Sequence, residues 1–221
     1  MDPTGCMTSP STVRRALDVG CGLLALVVLS PLLAVLTVLV RATSPGPALF
    51  RQQRVGEGGA AFTLYKFRSM QWKSDGPEVT ADADPRVTPL GAWMRRTKLD
   101  ELPQLLNLVR GDMTLVGPRP ETVGLAQRYP CDCRWVLNHR PGITGPVQLG
   151  SQELAAPPDG VHDPEGYYLA VLVPRRTALD ADFLAAPTLA RELDLVLRTV
   201  RRMAAPERST QQSTQQSTQP T

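Results

Sequence analysis

Between positions 17 and 40 the chain is almost continuously apolar, and from Val19 to Val40 only Ser30 and Thr37 are polar. About 20 apolar residues suffice to cross a bilayer. Pro31 removes a backbone donor and clashes with the preceding turn, so a bend or stop is expected near Ser30. Arg14 and Arg15 precede the run and Arg41 follows it, and positive charge marks the cytoplasmic side of a membrane. Together these predict a re-entrant segment over residues 13–42, a helix hairpin that enters the membrane, breaks at Ser30-Pro31 and returns to the side it came from. Both termini are then cytoplasmic. A kinked straight span remains open, because membrane helices tolerate proline. A cleaved signal peptide fits less well, since its apolar core ends within about 15 residues. A buried soluble helix conflicts with the near absence of polar positions.

Strand-like runs over residues 48–55 and 62–70 flank Gly56-Glu57-Gly58-Gly59 and predict a β-hairpin. No helix follows these glycines and their spacing is not that of a dinucleotide site. Residues 73–89 are polar, rich in Asp and Pro, and read as a loop. A helix is expected over 90–98 with Trp93 and Met94 inward. Proline favours the first helical position, so a second helix is expected over 103–109, its N-terminus abutting Asp100 and Glu101 and its end set by Gly111. Residues 117–120 and 140–142 are rigid turns. Over 186–203, Leu189, Leu193, Val196, Leu197 and Val200 fall at helical spacing among Arg191, Arg198, Arg201 and Arg202. That is an amphipathic helix, lying on a membrane surface or packed on a globular core. Residues 1–12 read as a flexible leader and 204–221 as a disordered Ser/Thr/Gln tail. The expected fold is α+β and mostly helical, with residues 43–203 forming a cytosolic domain.

Length and charge refine this picture. At 221 residues the chain holds the membrane segment plus one modest domain. Net charge is only +3, but the basic residues cluster, as Arg41, Arg51 and Arg54 and again as Arg95, Arg96 and Lys98. Such charges favour anionic headgroups by about 1 kcal/mol each, and they suit a phosphorylated substrate equally well. No nucleic-acid partner is expected. Of the four cysteines, Cys6, Cys21, Cys131 and Cys133, the last two are too close for a relaxed disulfide, and all read as reduced thiols. Only His139 and His162 are present, neither at ligand spacing, which argues against zinc and against a histidine-based nucleophile relay.

Three groups carry candidate chemistry: Lys66 with Arg68, the cluster Arg95, Asp100 and Glu101, and Arg119 between two prolines. Two carboxylates among cations at a helix N-terminus make a phosphate and metal site. A carboxylate held ionised can attack phosphorus as a covalent nucleophile. Carboxylate and diphosphate repel, so a divalent cation is needed, and Glu101 with substrate phosphates suits Mg²⁺. By itself an Asp-Glu pair serves equally well as a cap.

The motifs run in a dense order. Arg15 to Asp18 lead into the apolar run with Ser30-Pro31, followed by Ser44-Pro45-Gly46-Pro47. Then come Phe50-Arg51-Gln52-Gln53-Arg54-Val55-Gly56 and Tyr65-Lys66-Phe67-Arg68-Ser69-Met70. Asp84-Pro85-Arg86-Val87-Thr88 and Leu99-Asp100-Glu101-Leu102-Pro103-Gln104-Leu105 follow. Gly111-Asp112-Met113, Val116-Gly117-Pro118-Arg119-Pro120 and Arg140-Pro141-Gly142-Ile143-Thr144-Gly145 complete the set. With these, residues 13–202 closely resemble the bacterial sugar transferases, the monotopic polyprenol-phosphate phosphoglycosyl transferases.

The resemblance implies that Asp100 is a nucleophile attacking the β-phosphate of a nucleoside diphosphate sugar, usually a UDP-sugar. A polyprenol (undecaprenyl) phosphate then accepts the sugar phosphate, in a ping-pong reaction that opens exopolysaccharide, capsule or glycoconjugate assembly. It implies Glu101 as the Mg²⁺ ligand and Lys66, Arg95 and Arg119 as phosphate-binding groups, with Arg68 and Arg140 as further candidates. For Arg140 a structural role at the turn before Gly142 stays open. The implied location is the cytoplasmic face of a bacterial inner membrane, with other glycan-assembly enzymes as partners. Residues 146–151 and 154–160 depart from the family pattern and bear on nucleotide or sugar recognition. Two rivals stand beside this reading: an inactive membrane scaffold for glycan assembly, and a metal-dependent phosphohydrolase.

Overall fold

The computed structural model describes residues 12–72, 84–150, 154, 157–158 and 161–204. The expected leader and tail, most of the expected 73–89 loop and much of 154–160 lie outside them.

Helix α1 (Thr12–Thr43) is one helical element of 32 residues that contains Pro31. The helix therefore does not stop at Ser30-Pro31. Pro31 lacks the N–H that would reach the carbonyl of Val27, and the Ser30 hydroxyl donates to that carbonyl instead, at 2.8 Å. The orphaned acceptor is satisfied from the neighbouring side chain, so the helix continues.

Strands β1 (Leu49–Val55) and β2 (Ala61–Phe67) form the expected antiparallel hairpin, in register from Leu49 opposite Phe67 to Val55 opposite Ala61. A 3₁₀ turn (Glu57–Gly59) with Gly58 and Gly59 at positive φ closes it. Helix α2 (Pro89–Thr97) starts at Thr88, whose hydroxyl accepts from Gly91 N at 3.0 Å. Met94 points inward as expected, but Trp93 is 41% exposed. The two are adjacent on a helix, some 100° apart around its axis, so a single narrow buried face takes only one of them. Gly91 packs directly on the backbone of Ser69, where a Cβ would fall 1.9 Å from the carbonyl oxygen.

The helix expected over 103–109 forms in two pieces. A 3₁₀ segment (Leu99–Gln104) carries Asp100 and Glu101 within its first turn, and α3 (Leu105–Arg110) follows. The carboxylates thus lie inside a tight turn and do not abut a helix N-terminus. Gly111 closes α3 in the left-handed conformation, at φ 94°.

Strand β3 (Thr114–Val116) pairs in parallel with β5 (Gly142–Thr144), and β4 (Glu121–Thr122) adds antiparallel to β1, giving the order β2-β1-β4. The short helix α4 (Val123–Gln127) follows β4, and α5 (Pro146–Leu149) follows β5. Helix α6 (Pro164–Tyr167) passes through a π turn (Tyr168–Leu172) into α7 (Val173–Ala185), and α8 (Leu189–Ala204) closes the described chain.

Two cores result. One buries Leu36 and Val40 of α1 with Ala48, Phe67 and Met94. The other joins Leu125, Tyr129, Cys133 and Val136 to Tyr168, Leu172 and Val173. Both halves of α1 dock on the same domain. At its start, Arg15 donates to the carbonyls of Leu108 and Val109 at 2.7 and 2.6 Å, capping the end of α3. Buried Asp18 accepts from the Thr114 hydroxyl at 2.8 Å and from Leu115 N at 3.0 Å. Leu23, Leu24, Val27, Val28, Val35 and Val38 remain exposed on the remaining surface of the helix. Helix α8 is similar. It packs through an Arg14–Glu192 ion pair and a Thr144–Thr199 hydroxyl contact, while Leu189, Leu193, Leu197 and Val200 face outward.

Candidate active site

The site is built where β2 meets the 3₁₀ turn. Buried Asn107 of α3 fastens the two together: its amide donates to Thr63 O at 2.7 Å and to Asp112 Oδ2 at 3.0 Å, and it accepts from Tyr65 N at 3.2 Å. This sets Lys66 against the turn, with Nζ 2.9 Å from Glu101 Oε1. Arg119 reaches the same oxygen at 3.5 Å, its side chain 37% exposed. The close backbone approach of β3 and β5 positions Arg119. Gly117 N donates to Thr144 O and Gly142 N to Pro118 O, at 2.9 and 2.8 Å. A Cβ on Gly142 would fall 2.0 Å from Gly117 N, so only glycine permits this contact.

Asp100 is 7% exposed, and its Oδ1 is buried without a hydrogen-bond partner among the described residues. Burial, reinforced by the charge of Glu101, pushes its carboxyl up, against Lys66, Lys98 and Arg95. Burial acts on Glu101 in the same sense, but Lys66, then Arg119 and Lys98, overcome it and hold that carboxyl well below the usual range. Lys66 is in turn pushed down by burial, with Glu101 opposing. The pair is therefore split, one carboxylate firmly ionised and the other shifted up with one oxygen unpartnered. Among the described residues no three His, Cys, Asp or Glu side chains converge as a metal cage. The donors present, two hard carboxylates with one oxygen unsatisfied, fit Mg²⁺, which takes one or two carboxylates plus substrate phosphates and water.

Of the seven candidate residues, Asp100, Glu101, Lys66 and Arg119 come together. Arg95 stands at the edge, its Nε donating to Ser69 Oγ at 2.9 Å, close enough to bias Asp100 toward ionisation. Arg68 and Arg140 turn elsewhere. Arg68 Nη2 donates to Val40 O and to the carbonyl and hydroxyl of Ser44, pinning the end of α1. Arg140 pairs with Glu57 of the hairpin turn at 2.7 Å.

Sequence reasoning missed a second group beyond Arg119. Buried Glu121 accepts from the hydroxyls of Tyr129 and Tyr168, and Arg176 Nη1 donates to the Tyr168 hydroxyl at 2.6 Å. Arg54 approaches Glu121 Oε1 at 3.6 Å. The network closes one side of a cleft between the Pro118–Glu121 turn, the Cys131–Asn138 3₁₀ segment and α7. Arg119 and Pro120 line both this cleft and the pocket holding Lys66 and Glu101. Asp180 of α7 also lines the cleft, and burial pushes its carboxyl up to about 7, with Arg176 opposing.

Relatives share this architecture's sequence. The chain is 39% identical over 192 residues to the UDP-glucose:undecaprenyl-phosphate glucose-1-phosphate transferase of Caulobacter vibrioides, covering 85% of this chain and 68% of that protein. It is 41% identical over 146 residues to the exopolysaccharide production protein PSS of Rhizobium leguminosarum bv. phaseoli, covering 62% of this chain and 73% of the relative. With the undecaprenyl-phosphate galactose phosphotransferase of Salmonella typhimurium it shares 38% identity over 157 residues, 63% of this chain but 33% of that longer protein. The family model described as bacterial sugar transferase matches residues 9–206, and the chain belongs to that family.

Proposed function

We propose that the protein transfers a sugar 1-phosphate from a UDP-sugar to undecaprenyl phosphate through a covalent intermediate on Asp100. The observation that carries this reading is the split carboxylate pair: Glu101 ionised against Lys66 and Arg119, and Asp100 beside it with a buried, unpartnered oxygen. In the first step an Asp100 oxygen attacks the β-phosphorus. The bond from that phosphorus to the bridging oxygen breaks, and UMP leaves with the electron pair. In the second step a phosphate oxygen of the lipid attacks the same phosphorus and returns Asp100 as a carboxylate. Lys66 and Arg119 hold phosphate oxygens and offset developing charge. Glu101, with Asp100, would hold Mg²⁺, which neutralises the diphosphate when bound. One pocket serves both substrates in turn, so ping-pong kinetics are expected.

The membrane reading rests on α1 and α8. A straight span would carry one end of α1 away from the domain, whereas Arg15 and Asp18 near its start and Leu36 and Val40 near its end all dock there. That favours a re-entrant or shallow placement with the site at headgroup level on the cytoplasmic face, where a dissolved donor meets a lipid acceptor.

The test supplies purified protein with Mg²⁺, a panel of UDP-sugars and undecaprenyl phosphate, and follows UMP and lipid-linked sugar. Donor alone, under rapid quench, should leave a sugar-phosphate adduct on Asp100. Release of free sugar phosphate to water with no lipid product would point to a phosphohydrolase and overturn the transferase reading.

A further inference from the structure

We propose that the cleft beyond Arg119 receives the nucleobase of the donor, and that Asp180 reads it by accepting a hydrogen bond from a ring N–H. This rests on the phosphotransfer reading above and extends it to donor recognition. In-line displacement puts the leaving group across the phosphorus from the attacking oxygen. The sugar stays with the phosphorus that Asp100 captures, and the nucleoside monophosphate departs on the opposite side. Arg119 stands on the Glu101 side of the pocket and lines the cleft as well, so a phosphate held by Arg119 has its nucleoside directed into the cleft.

The cleft suits a flat base. It is open to solvent and continuous with the pocket at Arg119 and Pro120. Pro118, Pro120, Pro141 and Leu137 offer apolar surface for ring faces. Among the polar groups of the lining, one carries an oxygen without a partner. Asp180 is 4% exposed, and its Oδ1 has no hydrogen-bond partner among the described residues. A buried acceptor in that state is costly unless a donor arrives. Of the groups on a pyrimidine, an imide N–H supplies that donor, as at N3 of uracil. Cytosine carries an acceptor at the same position and would face the ionised carboxylate lone pair to lone pair above about pH 7, where the comparison below is made. Rejection through an unpaired buried polar group is the strong form of specificity.

The test uses the full-length protein in lipid nanodiscs with Mg²⁺ and measures dissociation constants for UMP, N3-methyl-UMP and CMP by calorimetry. Wild type should bind the N3-methyl compound and CMP at least about tenfold more weakly than UMP, the scale of one buried hydrogen bond. In Asp180→Ala, UMP should weaken about tenfold and the methyl penalty should vanish. Asp180→Asn keeps the shape and adds a donor, so it should narrow the UMP-to-CMP ratio even if the alanine variant folds poorly. A wild type indifferent to N3-methylation, or a methyl penalty unchanged in both variants, overturns the proposal. Lipid-linked product is assayed in parallel. If it forms while methylation is ignored, only this inference falls; if no UDP-sugar yields it, the transferase reading falls and takes this inference with it.

Discussion

Asp100 and Glu101 are neighbours in sequence whose carboxyls are shifted in opposite directions, because Lys66 and Arg119 both lean on one of them. Under the proposed mechanism, removing Asp100 should be far worse than removing a positioning cation. Asp100→Asn is expected to lower kcat by at least about 10³-fold and to abolish the quenched adduct, while UMP binding survives. Arg119→Ala should act mainly on donor affinity, raising KM by roughly tenfold. A kinetic comparison of the two variants checks both. Asp180 gives a pH test. Its carboxyl titrates near 7 in the folded chain and near 3.9 when unfolded, so the folded state holds the proton more tightly. Stability then falls as pH rises from about 4 to 7. Asp180→Asn should remove that fall and melt above wild type at pH 8 but not at pH 5, as thermal denaturation would show. Charge type and motif together located Lys66, Asp100, Glu101 and Arg119 but did not separate them from cations with structural partners. Arg68 and Arg140 carry the same charge as Arg119, and nothing local reveals that Ser44 and Glu57 engage them. Glu121, Tyr168 and Asp180 meet the site only through long-range packing.

At the scale of elements, apolar pattern located the helices and the hairpin but not their fine geometry. Pro31 does not end α1, because a hydroxyl one residue earlier takes over the vacated carbonyl. Trp93 faces outward, because Met94 takes the buried position. The carboxylates sit within a 3₁₀ turn, and no periodicity over six residues distinguishes that from a helix start. Two changes test which contacts hold the elements together. Gly91→Ala drives a methyl into the Ser69 backbone, with no flexible side chain to yield, and should lower stability by about 2 kcal/mol or more. Asp18→Ala leaves Thr114 Oγ1 and Leu115 N without their acceptor and should cost about 1–3 kcal/mol. Denaturant titration measures both, and Asp18→Ala should also increase protease sensitivity around α3.

For the whole molecule, the exposed apolar residues of α1 and α8 carry the membrane reading. The sequence left α8 between a membrane surface and a globular core. In the structure Glu192, Thr199 and Arg202 turn to the domain and Leu189, Leu193, Leu197 and Val200 face outward. Replacing those four outward residues with Ser should weaken vesicle binding strongly, since each buried aliphatic side chain is worth roughly 1.5–3 kcal/mol. Vesicle co-sedimentation checks this, with the fold monitored by circular dichroism. The two-ended attachment of α1 has a mechanical consequence. A free spanning helix meets a thicker or thinner bilayer by tilting. With Asp18 and Val40 both held by the same domain, α1 cannot tilt freely, and the depth of the pocket is set by the protein itself. Under the proposed mechanism turnover should then track lipid acyl-chain length, because the headgroup plane must move to Asp100 rather than the reverse.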